Sequence, residues 1–207
     1  MSIHLRELLC LTTAALLTGA CAFTDVKLTL PTRPLDSPVA GGNGRQVIVV
    51  SPFSDDRVVK RCGMQKNGYN MDTADAVCQS DPGQWLATLL ANELRVSGFT
   101  VLATDAAHRP GALRVEGHLE KLFVEPVMGA FSGSLEADLF VRLNVRSDTG
   151  LLGERGFFVK GWRGGQAMSL TGSYNTALDR ATQQTLEEMV RAVVELMDRY
   201  PQLGSAR

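Results

Sequence analysis

Residue types that carry catalysis or bind metals are scarce in this 207-residue chain, which has three histidines and four cysteines. A catalytic site needs a nucleophile or base with an orienting partner, and the chain contains no Gly-x-Ser-x-Gly turn. His118 falls on the polar side of an alternating strand pattern, which is typical of a solvated histidine. Asp55 and Asp56 could bind a cation, but adjacent carboxylates after a strand more often cap backbone amides. We therefore predict no catalytic residues, no metal ligands, no cofactor and no enzymatic activity.

The first 21 residues have the three-part form of an export signal. Arg6 precedes an apolar run over residues 8–17, which is too short for a membrane-spanning helix because such a helix needs roughly 20 residues. Small residues at 18–20 lead directly to Cys21. This arrangement resembles the bacterial lipoprotein signal, in which the cysteine is acylated and becomes the mature N-terminus. An ordinary secretory signal, with Cys21 as a bystander, is the alternative.

The resemblance to a lipoprotein signal implies where the protein lies. Ala22 rather than Asp follows Cys21, and enterobacterial sorting then implies the outer membrane, with the chain facing the periplasm. Two or three acyl chains hold a protein firmly, whereas one anchors it only marginally. The membrane, contacted through the N-terminal lipid, is thus the first expected partner.

Two further cysteines, Cys62 and Cys78, remain in the exported chain. In an oxidising compartment an isolated pair is a disulfide candidate. The bridge would stabilise the fold by about 3 kcal/mol on the loop-entropy model, and the enclosed segment has no sustained apolar periodicity of its own. Two buried free thiols or an incomplete metal site are the alternatives, although zinc usually takes four ligands.

The charge balance disfavours nucleic acid as a partner. Lys and Arg number 21 against 22 Asp and Glu, which gives a net charge of −1. Such a chain has no overall basic field to hold phosphates or an anionic membrane surface. We therefore expect no nucleic-acid binding.

Hydrophobic periodicity predicts an α+β fold with the order β-α-β-β-β-β-α. Residues 46–50 are continuous and β-branched, as in a buried strand. Asp81, Pro82 and Gln84 form a helix start, and Gly98 is the expected stop. Alternating runs at 113–122, 134–146 and 151–162 predict an antiparallel meander, and an amphipathic helix follows over 174–200. We expect a single curved, mostly antiparallel sheet with both helices packed on one face.

The chain divides into four predicted segments. Residues 1–20 are the lipoprotein signal peptide, and residues 21–45 are a lipidated Pro/Gly-rich tether in which the run 26–30 could add an edge strand. Residues 46–200 form a single domain, and residues 201–207 form a short C-terminal tail.

Two segments could form a recognition surface. The first is the loop 60–79 between the cysteines, where Met64, Tyr69 and Met71 are expected to be exposed and to bind a partner. The second is the apolar hairpin end 124–131, with Phe131 as the candidate contact. Either segment could instead pack on its own domain.

Several features occur together in this chain: the lipidated cysteine, a Val-rich strand, a helix, the meander and the last helix. The strand runs into Pro52-Phe53-Ser54-Asp55-Asp56-Arg57, and the first helix ends in Ser97-Gly98-Phe99. Over about residues 45–200 the chain resembles small bacterial envelope lipoproteins of the YajG type and auxiliary lipoproteins of envelope ABC transport systems. The resemblance implies no catalytic residues. We predict a non-enzymatic, membrane-anchored periplasmic lipoprotein that binds another cell-envelope component, with an envelope protein as the expected partner, in an assembly or maintenance role. An auxiliary subunit of a lipid or polysaccharide transport apparatus is the alternative, followed by a hydrolase with a site of another pattern.

Overall fold

The computed structural model describes residues 24–67, 69–103, 111–128, 133–164 and 171–204. Over these residues the chain has the predicted α+β architecture, with two helices and an open, curved sheet of nine strands that is mostly antiparallel. The strands are β1 (Val26–Leu28), β2 (Gln46–Val49), β3 (Ser54–Asp55), β4 (Gly63–Lys66), β5 (Asp72–Cys78), β6 (Thr100–Leu102), β7 (Leu113–Met128), β8 (Gly133–Ser147) and β9 (Gly150–Gly164), and the helices are α1 (Pro82–Val96) and α2 (Thr171–Arg199).

Strand β7 is the central strand of the sheet, and in the described part of the chain it pairs with four other strands. One of its edges pairs with β8 in an antiparallel ladder, and β8 pairs in the same way with β9. The other edge is occupied in turn by β2, β3 and β4, all parallel to β7. Because β7 alternates buried and half-buried side chains with a period of two, one face of the meander is buried, as predicted. A bulge between Leu119 and Lys121 moves the buried positions from odd to even numbers.

The two helices contact each other and cover the buried face of the sheet. Helix α1 begins as predicted, since Oδ1 of Asp81 accepts a hydrogen bond from the backbone N–H of Gln84 at 2.7 Å. It ends before Gly98, whose φ of 90° favours glycine. Helix α2 buries one apolar stripe against β8 and β9. The buried stripe comprises Leu178, Ala181, Leu186, Met189, Val190, Val193, Leu196 and Met197.

The Pro/Gly-rich segment packs against the domain, where the sequence analysis expected a tether. β1 pairs in parallel with β5 at the edge of the sheet, and the side chains of Leu28, Leu30 and Leu35 are buried. The Trp85 Nε1–H donates to the carbonyl of Pro31 at 2.6 Å. The segment packs because its apolar side chains are spaced so that several of them lie on one side of an extended backbone. Proline is compatible with such an extended backbone. In the sequence, only residues 22–25 separate Cys21 from β1.

The close packing of this segment explains why residue 42 is a glycine. A Cβ on Gly42 would lie 2.2 Å from the carbonyl carbon of Gly98, so only glycine fits beside the end of α1. The start of the C-terminal tail is also attached, since the backbone N–H of Gln46 donates to the carbonyl of Gly204 at 2.7 Å. In the part of the chain that the structure describes, no helix is long and apolar enough to cross a membrane.

Candidate interaction surface

The segment between the cysteines is a disulfide-closed hairpin. Strands β4 and β5 are antiparallel, and the disulfide between Cys62 and Cys78, with a Cα–Cα distance of 5.6 Å, joins them at the base. This is the pairing favoured by the cysteine count. The carbonyl of Cys62 accepts from the backbone N–H of Val124 at 2.9 Å, and a Cβ on Gly63 would lie 2.1 Å from the Val124 carbonyl oxygen. The hairpin is therefore fixed to β7.

The tip of this hairpin presents two apolar side chains to solvent. Oδ1 of Asn67 accepts hydrogen bonds from the backbone N–H groups of Tyr69 and Met71, at 2.9 and 3.1 Å. Asn70 has a φ of 63°, which asparagine tolerates better than most residues. Tyr69 is 86% exposed and Met71 is 56% exposed. An ordered turn thus holds both side chains away from the domain.

The prediction for Met64 is wrong, because this residue is buried. It lies in β4, and the hydroxyl of Tyr174 in α2 donates to its carbonyl at 3.2 Å. Successive side chains of a strand point to opposite faces. Met64 therefore points into the core from β4, whereas Tyr69 and Met71 lie beyond the strand, in the turn. Phe131 and Cys21 lie outside the described residues.

Other exposed apolar side chains lie at the same end of the sheet. Gly63 of β4 is opposite Val124 of β7, and the two strands are parallel. The tip beyond Lys66 therefore lies at the end where β7 finishes with Val127 and Met128, both partly exposed. We call Tyr69, Met71, Val127 and Met128 the tip cluster.

A loop after β3 presents a second apolar pair, which the sequence analysis did not identify. Val58 is 96% exposed, and Val59 is exposed beside it. The loop is held by Arg57, whose buried guanidinium bonds both carboxylate oxygens of Asp55 at 2.8 and 2.9 Å. This contact is the main reason that the pKa of Asp55 falls to about 2. Asp55 also accepts from the backbone N–H of Arg57 at 3.2 Å, so it caps a backbone amide, as predicted.

A groove of about 400 Å³ lies between this loop and β7. Leu122 and Phe123 of β7 line it, and the guanidinium of Arg61 lies 5.8 Å from the centre of the Phe123 ring. Charged side chains of both signs line it as well. The groove is lined by Arg57, Val58, Val59, Glu120, Lys121, Leu122, Phe123 and Glu125.

The open face of the meander carries two exposed aromatic side chains of β9. Phe158 and Trp162 are each 55% exposed, whereas Phe157 between the sheet and α2 is buried. The Phe158 ring meets the Phe140 ring edge to face, with 6.1 Å between their centres. The adjacent Phe157–Phe158 pair is the signal available in the sequence, because one of two neighbouring strand residues must face outward.

His118 belongs to a polar cluster on the same open face. Its Nδ1 lies 2.8 Å from Oδ2 of Asp56, and Nδ2 of Asn144 lies 3.4 Å from its Nε2. The hydroxyl of Ser54 donates to the other oxygen of Asp56, and the contacts with Ser54 and His118 lower the pKa of Asp56. Ser54 therefore contacts the acid and not the histidine, an order that does not suit a serine nucleophile with a histidine base. Among the described residues, no three His, Cys, Asp or Glu side chains gather as a metal site.

Comparison with known proteins identifies the fold. No protein-family model and no curated protein match the sequence. The structure is similar to that of protein XCC0632 from Xanthomonas campestris, described under DUF330, with 14% identity and a TM-score of 0.63 over 86% of this chain and 99% of that one. This likeness shows a shared fold.

Two lower structural similarities involve other bacterial proteins. A putative neuraminyllactose-binding hemagglutinin homolog from Helicobacter pylori has 12% identity and a TM-score of 0.47, over 81% of this chain and 96% of that one. A minor lipoprotein from Acinetobacter baumannii has 12% identity and a TM-score of 0.40, over 82% and 99% of the two chains.

Proposed function

We propose that this protein is a non-enzymatic lipoprotein of the bacterial envelope, anchored by acyl chains on Cys21 to the periplasmic side of the outer membrane, and that it binds another envelope protein. The anchor is supported by the signal-like residues that lead to Cys21. The domain then begins within a few residues of the lipid, at β1.

The observation that carries partner binding is the exposed pair Val58 and Val59 beside the groove. A valine that is 96% exposed gains nothing from folding, since its apolar surface stays in water. Arg57 and Asp55 fix the loop before any partner arrives, so binding would order few additional groups. An apolar side chain inserted against Leu122 and Phe123 would bury this surface.

The charges around the groove favour a protein segment as the occupant. Glu120, Glu125 and Lys121 all line the groove, so its partly exposed charges have no single sign. A mixed rim around an apolar centre is the usual composition of a protein–protein contact. Nucleic acid would instead require a continuous basic surface.

In-cell photo-crosslinking from position 58 tests this function. A photoreactive amino acid replaces Val58 in one strain and Val96 in another, because Val96 is an exposed valine at the far end of α1, 57% accessible. We expect one envelope protein to be captured repeatedly from position 58 and not from position 96. A transporter component among the adducts would assign the auxiliary transport role. Equal, unspecific adducts at both positions would contradict partner binding at the groove.

A further inference from the structure

The direction of β1 determines where the N-terminal segment leaves the domain. β1 is parallel to β5, with Val26 opposite Ala76, and the backbone N–H of Asp75 donates to Oδ1 of Asp25 at 3.1 Å. Followed backwards from Val26, the described residues 25 and 24 therefore point along β5 towards Asp72, where β5 begins. That is the end of the sheet at which the β4–β5 turn lies.

The residues before Val26 are long enough for Cys21 to reach the level at which β5 begins. Five steps of about 3.3 Å separate Val26 from Cys21, which gives a reach of at most about 17 Å. Four steps separate Ala76 from Asp72, or about 13 Å along the strand. A lipid on Cys21 can thus enter a bilayer beside the hairpin tip, whereas it cannot reach the opposite end of the sheet.

The tip cluster has the chemistry of a membrane-interface contact. Tyr69 has an aromatic ring with a polar hydroxyl, the combination that is enriched where lipid headgroups meet acyl chains. Met71, Val127 and Met128 add apolar surface that is exposed at the same end. Among the described residues of the β4–β5 turn and the end of β7, Asp72 and Glu125 are acidic, and Lys66 is paired with Glu125 at 2.6 Å. Apolar insertion, rather than attraction to anionic headgroups, is the contact that these residues support.

We infer that the tip cluster rests in the interfacial layer of the bilayer that holds the Cys21 lipid. The inference rests on the proposed lipidation of Cys21. The disulfide and the Asn67 hydrogen bonds hold the described part of the tip on the domain, so the anchor and the tip together give the domain two points of contact with one membrane. The sheet then contacts the membrane through this end.

Photo-crosslinking of the full lipidated protein tests this orientation. A photoreactive residue replaces Tyr69, Met71 or, as the control, Val96, and the purified protein is reconstituted into vesicles of phosphatidylethanolamine with a minor share of phosphatidylglycerol. Val96 suits the control because α1 ends beside Thr100, which pairs with Gln46 at the opposite end of the sheet. We expect phospholipid adducts, identified by mass, from positions 69 and 71 and none from position 96.

Three outcomes would overturn the inference, and they differ from one another. Protein that is recovered in the soluble fraction without acyl chains on Cys21 would refute both the anchor and the orientation. Acylated, membrane-bound protein without lipid adducts at position 69 would refute the orientation alone. In cells, repeated capture of one protein from position 69 would show that the tip docks on a protein instead.

Discussion

Arg57 and Asp55 form a two-point ion pair, with Nε–Oδ1 and Nη2–Oδ2 distances of 2.8 and 2.9 Å. The Arg57 side chain is almost completely buried, and its Nη1 lies 3.4 Å from Sγ of Cys62. One guanidinium thus connects the loop that presents Val58 to the disulfide at the base of the hairpin.

Replacing Arg57 should destabilise the domain. In an Arg57→Ala variant the half-buried Asp55 carboxylate loses its main partner, and we expect the free energy of unfolding to fall by about 2 kcal/mol, within the range for hydrogen bonds to charged groups. Urea unfolding measures the change. Arg191→Ala is the control, because its ion pair with Glu187 is exposed and should contribute under about 1 kcal/mol. Equal losses in the two variants would contradict the structural role of Arg57.

The same pair predicts a pH dependence. The guanidinium of Arg57 lowers the pKa of Asp55 from 3.8 to about 2. A carboxyl group whose folded pKa is depressed stabilises the protein above its unfolded pKa and loses that contribution as the pH falls through its folded pKa. The stability difference between the wild type and Asp55→Asn should therefore be largest above about pH 4 and shrink towards about pH 2. Urea unfolding of both proteins across this range is the measurement, and a constant difference would contradict the prediction.

The disulfide should stabilise the domain by restricting the unfolded chain. The two cysteines are 16 positions apart, and we expect a Cys62→Ser, Cys78→Ser double variant to lose about 3 kcal/mol. Thermal or urea unfolding checks this value. Alkylation of the unreduced mature protein provides the independent control, since neither thiol should react before reduction. Reaction at both cysteines would show that the bridge is absent.

Packing of the N-terminal segment predicts a cost at Gly42. An added methyl group would meet the backbone of Gly98 and Phe99 at 2.2–2.3 Å, and backbone cannot move aside as a side chain can. We expect Gly42→Ala to cost about 1–3 kcal/mol of unfolding free energy. Gly156→Ala is the matched control, because its nearest neighbour, at 3.1 Å, is the outer ring edge of Phe140. A Gly42→Ala protein as stable as the wild type would instead fit a free tether.

The core elements could be predicted because their local patterns agree with the final packing. Neighbouring residues alone indicate the helix cap at Asp81, the helix end before Gly98 and the apolar stripe of α2. The meander follows from strict alternation, and even the bulge after Leu119 coincides with the place where that alternation changes parity.

Three of the strands that precede α1 could not be predicted in this way. β3, β4 and β5 are short, and each is held by pairing with a strand distant in sequence and, for β4 and β5, by the disulfide. Prolines and glycines are typical of linkers, so the sequence predicts a tether over residues 21–45 with a possible edge strand at 26–30. The edge strand is present as β1, and the burial of Leu30 and Leu35 against the domain has no local signal.

The candidate surfaces also include residues whose exposure the sequence predicts and residues whose contacts it does not predict. Exposure of Tyr69 and Met71 follows from their position in a turn of polar residues, so the sequence predicts it. The groove beside Val58 is formed by a loop and by a strand some sixty positions later, and no local pattern reports such a contact. Met64 was misplaced because the start of β4 was not recognised.

Attachment to the membrane through Cys21 is tested most directly by cell fractionation combined with the mass of the mature N-terminus. We expect the wild type in the outer-membrane fraction, with a mature chain that begins at an acylated Cys21. The Cys21→Ala variant should leave the membrane fraction, since two or three acyl chains provide firm anchoring and the exposed tip residues alone do not. A Cys21→Ala protein that still fractionates with membranes, or a wild type that lacks acyl chains, would contradict the lipid anchor.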